Sequence, residues 1–251
     1  MSGHSKWANR VHRKTRQDAK RSNLFSKLSR EIIVAAKEGG GSPDTNIRLR
    51  YAIDAARAES MPNDNIDNAI KRGMGELEGV VYEPVTYECH GPAGVAIMIT
   101  CLTDNRQRTV AELRNLLRKR DGALGEPGSV AWAFETKGAI IVRRDVTDED
   151  TLFMAAADAG AEDVLTDDPE VFEVRTPPNV FAQVLDAVKE AGIEYQRAEL
   201  TMIPTSTTPV PDEQAPKLFA LLEEIEDHDD VQKVFANFEV SDEVMEKLAA
   251  E

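Results

Sequence analysis

Residues 138–204 form an uninterrupted stretch in which predicted strands and helices alternate in a complete pattern. The apolar positions repeat every second residue in four segments and at helical spacing in two others. The segments are, in order, the strand "GAIIVRR" (138–144), the helix "DEDTLFMAAADAG" (148–160), two strands around Asp-Asp-Pro in "AEDVLTDDPEVFEVRT" (161–176), the helix "PNVFAQVLDAVKEAG" (178–192) and the strand "EYQRAELTMIP" (194–204). The order βαββαβ is typical of a ferredoxin-like unit, so the sequence predicts one here.

The segments on either side of this unit are incomplete when taken separately. Before it, the patterns predict a hairpin, a helix and a strand, and after it only one helix and one strand. These segments are "VTYECH" (85–90), "GVAIMITCLT" (94–103), "NRQRTVAELRNLLRKRDG" (105–122), "GSVAWAFE" (128–135), "EQAPKLFALLEEIEDH" (213–228) and "VQKVFANFEV" (231–240). The final strand cannot form a sheet alone. We therefore predict that the two flanking segments combine into one discontinuous domain with residues 138–204 inserted.

The N-terminal third has helical rather than strand periodicity. Leu24, Leu28 and Ile32 begin an apolar stripe that ends at the glycines from Gly39 onward. A second helix ends before Pro62, and a short third helix follows, with Asn63 as the expected cap. The predicted class is α+β, with a small helical domain followed by two α+β (ferredoxin-like) domains. The predicted domains are 1–80 (a basic arm and three helices), 81–137 plus 205–251 (discontinuous), and 138–204 (inserted).

Charge is distributed unevenly along the chain. Residues 1–80 have a net charge of +5, whereas the whole protein has a formal charge of −15. The first thirty residues contain nine Lys or Arg and a single acid, Asp18. At physiological salt the Debye length is about 8 Å, so a basic segment acts locally despite distant acidic surface. This asymmetry indicates a specialised basic end of an otherwise acidic protein.

The basic start, which we call the N-terminal arm (residues 1–21), is the strongest functional signal. Clustered cations neutralise phosphates and release counterions, and Trp7 among them is suited to stacking on an unpaired base. Three alternatives remain open: a solvated tail without a partner, an organelle presequence, and a patch for anionic membrane. The candidate residues of the arm and first helix are Lys6, Trp7, Arg10, Arg13, Lys14, Arg16, Lys20, Arg21, Lys27 and Arg30.

Two further groups of cations are candidates for the same role. Arg106 and Arg108 begin a predicted helix, where the helix dipole favours acids instead, so their position suggests an anionic ligand. An exposed helix face is an equally good explanation. The third helix carries Asn residues with Lys71 and Arg72, which are suited to reading bases unless the Asn side chains only cap the helix. The added candidates are Lys71, Arg72, Arg106, Arg108, Arg118, Lys119 and Arg120.

Motifs typical of enzymes and cofactor sites are missing from the sequence. There is no phosphate-binding glycine loop, no nucleophile elbow, and no spacing of His and Cys suited to a metal. The acidic pairs at Asp167 and Asp229 fit turns, although a hydrolase using them is the remote alternative. We predict no catalytic residues, no metal and no cofactor. The hairpin spacing places Cys89 opposite Ala96 and Cys101 on the other face, which indicates two free thiols in a reducing cytosol.

Several motifs together resemble the YebC/PmpR family of bacterial proteins. They are "GHSKWANRVHRK" (3–14), "FSKLSREIIVAAKEGGGSPDTNIRLRYAIDAA" (25–56), "MPNDNIDNAIKRGMG" (61–75), "YECHGPAGVAIMITCLTDNRQRTVAELR" (87–114) and "LGEPGSVAWAFETKG" (124–138). The resemblance implies a three-domain cytoplasmic protein without enzymatic activity. It also implies a transcriptional regulator that binds DNA, or alternatively a translation factor that binds ribosomal RNA or the ribosome and relieves stalled elongation. We expect a monomer with neither a membrane nor a small-molecule partner.

Overall fold

The computed structural model describes residues 18–241, 243 and 244, with side chains from residue 22 onward. The described chain is α+β and divides into two compact units, one of residues 135–203 and one of the remainder. The helices are α1 (Asp18–Gly39), α2 (Ile47–Ala58), α3 (Asn63–Gly73), α4 (Arg106–Lys119), α5 (Glu149–Ala157), α6 (Phe181–Glu190) and α7 (Ala215–Glu226). The strands are β1 (Glu83–His90), β2 (Ala96–Thr103), β3 (Ala123–Leu124), β4 (Phe134–Arg143), β5 (Asp163–Leu165), β6 (Val171–Thr176), β7 (Arg197–Pro204), β8 (Thr208–Pro209), β9 (Val231–Ala236) and β10 (Phe238–Glu239).

The unit of residues 135–203 has the ferredoxin-like order that its sequence predicts. Its sheet runs β5-β6-β4-β7, with α5 and α6 as the two connecting helices. Ile140 lies opposite Val174 and Val142 opposite Phe172, so alternate residues of β4 and β6 share one apolar face. Gly138 is needed where β4 meets α6, because a Cβ there would lie 2.4 Å from the Phe181 ring.

Strand β4 begins earlier than the sequence patterns predict. Residues 128–135 were expected to form a separate strand, but Ala131–Ala133 form a 3₁₀ turn and Phe134 already belongs to β4. The reason is a contact distant in sequence: the backbone N–H groups of Val130 and Ala131 donate to the Glu88 carboxylate at 2.7 and 2.9 Å. They are therefore not available to a neighbouring strand. Strand β4 runs through the predicted boundary at residue 138, and the domain division itself stays a prediction.

Expressed alone, residues 135–204 are expected to fold with a cooperative two-state transition, because both helices and, apart from Phe134, all four strands of that sheet lie within them. Residues 81–134 without the tail are expected not to fold, because β9 then no longer pairs with β2. Both fragments are tested by urea unfolding, which is monitored by circular dichroism and by near-UV signals that do not depend on tryptophan. A molten 135–204 fragment, or a cooperatively folded 81–134 fragment, would show that the division is wrong.

The larger unit contains a sheet completed by the C-terminal segment. Its order is β3-β1-β2-β9, and β9 pairs antiparallel with β2 through Ile97–Ala236 and Ile99–Val234. Helices α4 and α7 contribute to the core of this sheet. The fully buried Leu and Ile residues of these two helices are Leu113, Leu117, Leu218, Leu221, Leu222 and Ile225.

The β1–β2 hairpin has a different register from the predicted one. Cys89 pairs with Ile97 rather than with Ala96, because residues 91–95 form the connection around a 3₁₀ turn. The one-residue shift places Cys89 and Cys101 in the same core, not on opposite faces. Both are free, and burial raises the pKa of each thiol to about 12, so both stay protonated and unreactive at neutral pH.

Helices α1, α2 and α3 pack around a small core of their own that includes Ile32, Leu49 and Ile66. Asn46 begins α2: its side chain accepts from the Leu49 N–H and donates to the Ala35 and Gly40 carbonyls. Gly73 lets α3 approach α1 closely, since a Cβ would lie 2.5 Å from the Ile33 carbonyl oxygen. Among the described residues, no helix has both the length and the hydropathy to span a membrane.

Candidate nucleic-acid interface

Most of the N-terminal arm lies outside the described residues. This applies to Lys6, Trp7, Arg10, Arg13, Lys14 and Arg16. The structure places the backbone of Lys20 and Arg21 in the first turn of α1, with their side chains outside the description. The arm therefore leads directly into the helical part of the chain, and its role stays a prediction.

Helix α3 has an apolar face toward α1 and a polar face toward solvent. Ile66 and Ala69 are buried and Ile70 is half-buried, which turns Asn65, Asn68, Lys71 and Arg72 outward. The expected cap Asn63 is wrong: Pro62 precedes the helix, and no side chain caps it. The Asn residues of α3 therefore do not cap the start of this helix, and Asn65 and Asn68 are exposed.

Lys27 and Arg30 face the other part of their own unit. They contact residues 226–230, which we call the acidic loop: Lys27 donates to the Glu226 carbonyl, and Arg30 to the Asp229 carbonyl and, at 3.1 Å, to Asp230 Oδ1. Burial lowers the pKa of Lys27 below its ordinary value, although the nearby Glu226 opposes this. Both cations therefore already have hydrogen-bond partners within the protein.

Asp230 is the centre of a buried polar cluster. Its side chain is 3% exposed, and its oxygens accept from Arg30, from Arg108 at 2.7 Å and from Thr109 at 2.7 Å. Burial alone would raise the pKa of Asp230, but the hydrogen bonds and charges of Arg108, with Thr109 and Arg30, lower it below its ordinary value. The carboxylate therefore joins α1, α4 and the start of β9 as a charged group.

The other candidate cations on and next to α4 fall into two groups. Arg106 pairs with Glu83 at 2.9 Å, and Arg120 pairs with Glu224. At the start of α4, Arg106 and Arg108 thus have carboxylate partners within the protein, and an anionic ligand there stays a prediction. Arg118 and Lys119 are exposed in the last turn of α4 and remain candidates.

Glu112, His228 and Asp230 are close enough together to be considered as metal ligands. Their ligand atoms already have protein partners, however. His228 Nε2 lies 2.9 Å from Glu112 Oε2, and His228 Nδ1 accepts from the Asp230 N–H at 3.1 Å. With Arg108 and Arg30 on the Asp230 carboxylate, the group is a hydrogen-bonded cluster rather than a cation site.

One exposed aromatic residue was missed as a functional candidate in the sequence. Trp132 was assigned to a strand, but the structure places it on the 3₁₀ turn after residues 125–130, with 71% of its surface exposed. The indole Nε1–H donates to the Ser129 carbonyl at 3.0 Å. The available signal was the loop sequence "GEPGSVAW" (125–132), whose Gly, Pro and Ser residues argue against a strand.

Comparison with known proteins shows the same family along nearly the whole chain. Residues 5–76 match the family described as "TACO1/YebC protein N-terminal domain", and residues 82–238 match "TACO1/YebC second and third domain". Proteins from Persephonella marina and Dictyoglomus turgidum, each named "Probable transcriptional regulatory protein", are both 54% identical over 99% of this chain and 100% of their own length. The crystal structure of a conserved hypothetical protein from Aquifex aeolicus is similar with a TM-score of 0.83 and 44% identity, over 90% of this chain and 93% of that one.

Proposed function

Because the chain belongs to the TACO1/YebC family, and similar proteins are named probable transcriptional regulatory proteins, we propose that it regulates gene expression by binding nucleic acid, with duplex DNA as its target. The observation that carries the proposal is the polar face of α3, which follows a strongly basic N-terminal segment. We further propose that the protein is a cytoplasmic, non-enzymatic monomer without a cofactor.

Helix α3 supplies the groups that read bases in the major groove. Asn side chains pair with the adenine edge, and Lys or Arg with the guanine edge. Lys71 and Arg72 lie three and four residues after Asn68, so both are its neighbours on the exposed face of this helix. Asp64 and Asp67 are also exposed on α3, and they repel phosphates from its first turns. Contact is therefore expected mainly through the C-terminal half.

The arm supplies affinity that does not depend on base sequence. Its cations contact phosphates, which fix the register of a protein on nucleic acid without reading bases. The acidic remainder of the chain, with a net charge of −20 over residues 81–251, repels phosphates elsewhere. This arrangement directs nucleic acid to the helical end and disfavours non-specific binding over the rest of the surface.

Ribosomal RNA, or the ribosome itself, is the second candidate target. The observation that favours it is the exposed Trp132, because an indole stacks on bases that a closed duplex does not present. A duplex target depends on α3 entering a major groove, whereas folded RNA offers loops and unstacked bases. Crosslinking in cells, followed by sequencing of bound DNA and RNA together, distinguishes the two.

Replacing Lys71 and Arg72 together with Ala is expected to weaken binding of the full-length protein to duplex DNA about 10- to 100-fold, because two exposed cations next to the base-reading Asn68 are lost. The matched control is the double change of Arg118 and Lys119 to Ala, which removes the same charge from the last turn of α4. Anisotropy titrations with a fluorescent duplex measure both. Equal weakening by both double variants would show that α3 has no special role, and unchanged binding by the α3 variant would contradict the proposed interface.

A further inference from the structure

We propose that Trp132 is a stacking platform for an unpaired nucleobase, which gives the protein a binding site on the α+β part of the chain, separate from the arm and α3. The inference rests on the proposed nucleic-acid binding, and it adds a second site, for an unpaired base, to the duplex contact proposed for α3. Its basis is an indole that is 71% exposed on a turn held in one conformation by the surrounding protein.

A single carboxylate fixes the loop that carries Trp132. Glu88, on β1, accepts three backbone N–H groups: Gly128 at 2.6 Å, Val130 at 2.7 Å and Ala131 at 2.9 Å. Burial alone would raise the pKa of the Glu88 carboxyl, but these three hydrogen bonds lower it below its ordinary value. The group is therefore ionised, and the loop held, throughout the neutral range.

Buried residues on both sides anchor the turn further. Val130 and Ala133 are 1% and 0% exposed, whereas Trp132 between them points to solvent. The Gly125 N–H also donates to the Glu88 carbonyl at 2.7 Å, which ties the start of the loop to β1. The indole is thus presented in a fixed position, so little conformational entropy is lost when a flat ligand stacks on it.

The polar end of the indole is already satisfied, which leaves its aromatic face as the binding surface. With Nε1–H donating to the Ser129 carbonyl, the ring offers stacking rather than hydrogen-bond recognition. A protein partner would need a wider apolar patch, but the other exposed residues of this loop, Glu126, Pro127, Gly128 and Ala131, add no large apolar side chain next to Trp132 in sequence. A nucleobase matches the size and flatness of one indole, and stacking accepts every base.

This site requires bases that are not already stacked in a closed duplex. A single-stranded segment or an RNA loop supplies them, whereas duplex DNA presents only its grooves and backbone. We therefore assign Trp132 a preference for single-stranded nucleic acid, while the phosphate contacts of the arm are shared by both forms.

The sequence permits a direct optical test, because it contains two tryptophans. In full-length protein with Trp7→Phe, the fluorescence comes from Trp132. Titration with a 12-nucleotide single-stranded RNA is expected to quench it, and a duplex of the same length is expected to leave it nearly unchanged. Trp132→Ala is expected to weaken binding of the single strand about 5- to 150-fold with the salt slope unchanged, and Trp132→Phe to retain most of the affinity.

A fourth variant tests whether the fixed position of the Trp132 ring matters in addition to the ring itself. Glu88→Gln keeps Trp132 but removes the charge that accepts three N–H groups, so weaker quenching with unchanged global stability supports the fixed-platform role. Absence of quenching, or unchanged affinity of Trp132→Ala for the single strand, overturns the inference. If either of these results is obtained, but replacing the cations of the arm still abolishes binding, the stacking site is wrong and the proposed function stands. If neither probe binds wild type at any salt concentration, both fail.

Discussion

Changing Arg13, Lys14 and Arg16 together to Ala is expected to flatten the salt dependence of nucleic-acid binding by about two to three units of log–log slope. Each phosphate contact contributes about 0.7–0.9 to that slope, because binding releases a condensed counterion. The expected wild-type slope is about −3 to −5, and affinity at 0.1 M salt should fall by roughly two orders of magnitude. The loss should be similar for most sequences, since phosphates carry no base information.

The control for this charge effect is Trp7→Ala, which removes an aromatic ring from the same arm. A stacking loss of ~1–3 kcal/mol with a nearly unchanged salt slope is expected there. Neither variant should alter unfolding by urea, because the replaced residues precede α1, which begins at Asp18. Titrations against duplex DNA, single-stranded RNA and ribosomes at several salt concentrations measure both. A triple variant that binds all three as tightly as wild type would show that the arm is a solvated tail.

The ferredoxin-like unit was predictable because its information is local and complete. Periods of two and of 3.6 residues alternate through residues 138–204, and the observed order of strands and helices along the chain agrees with them. The contribution of the tail was predictable by a different argument, since one helix and one strand need a partner sheet, and β9 does pair with β2. The hairpin register failed by one residue because the connection around Pro92 is longer than a tight turn.

The candidate interface was harder to predict, because a cation's partner lies far away in sequence. Arg30 meets the carboxylate of Asp230, two hundred positions later, and Arg108 meets the same group. The composition of the sequence does not distinguish these paired cations from an exposed one such as Lys71. In the same way, the position of Trp132 depends on the carboxylate of Glu88, 42 residues before Val130, which no local pattern connects to that loop.

Replacing Asp230 with Asn is expected to destabilise the larger unit by about 3–5 kcal/mol, because the change leaves two guanidinium groups without their shared buried anion. The side chains of Asp230 and Arg30 are 3% and 16% exposed, so water compensates little for that pair, whereas Arg108 is 42% exposed and keeps Asp104 as a partner, which favours the lower end of this range. The amide would also direct N–H groups toward donors such as Arg108. Urea unfolding of the full chain, monitored by circular dichroism, measures the loss in the transition of the larger unit.

The neighbouring Asp229→Asn is the matched control, since it makes the same chemical change at an exposed position whose backbone carbonyl, not its side chain, accepts from Arg30. It should alter stability by less than about 0.5 kcal/mol.

The pH dependence of unfolding gives a second test of the role of Asp230. Because the pKa of Asp230 is lowered in the folded state, its contribution is complete above the unfolded carboxyl pKa of about 3.9 and is lost as pH falls through the lower folded value. The stability difference between wild type and Asp230→Asn should therefore stay constant from pH 7 to about 5 and shrink only in stronger acid. A difference that disappears already near pH 6, or equal effects of the two Asn variants, would contradict the role of Asp230 as the charged centre that holds α1 to α4 and β9.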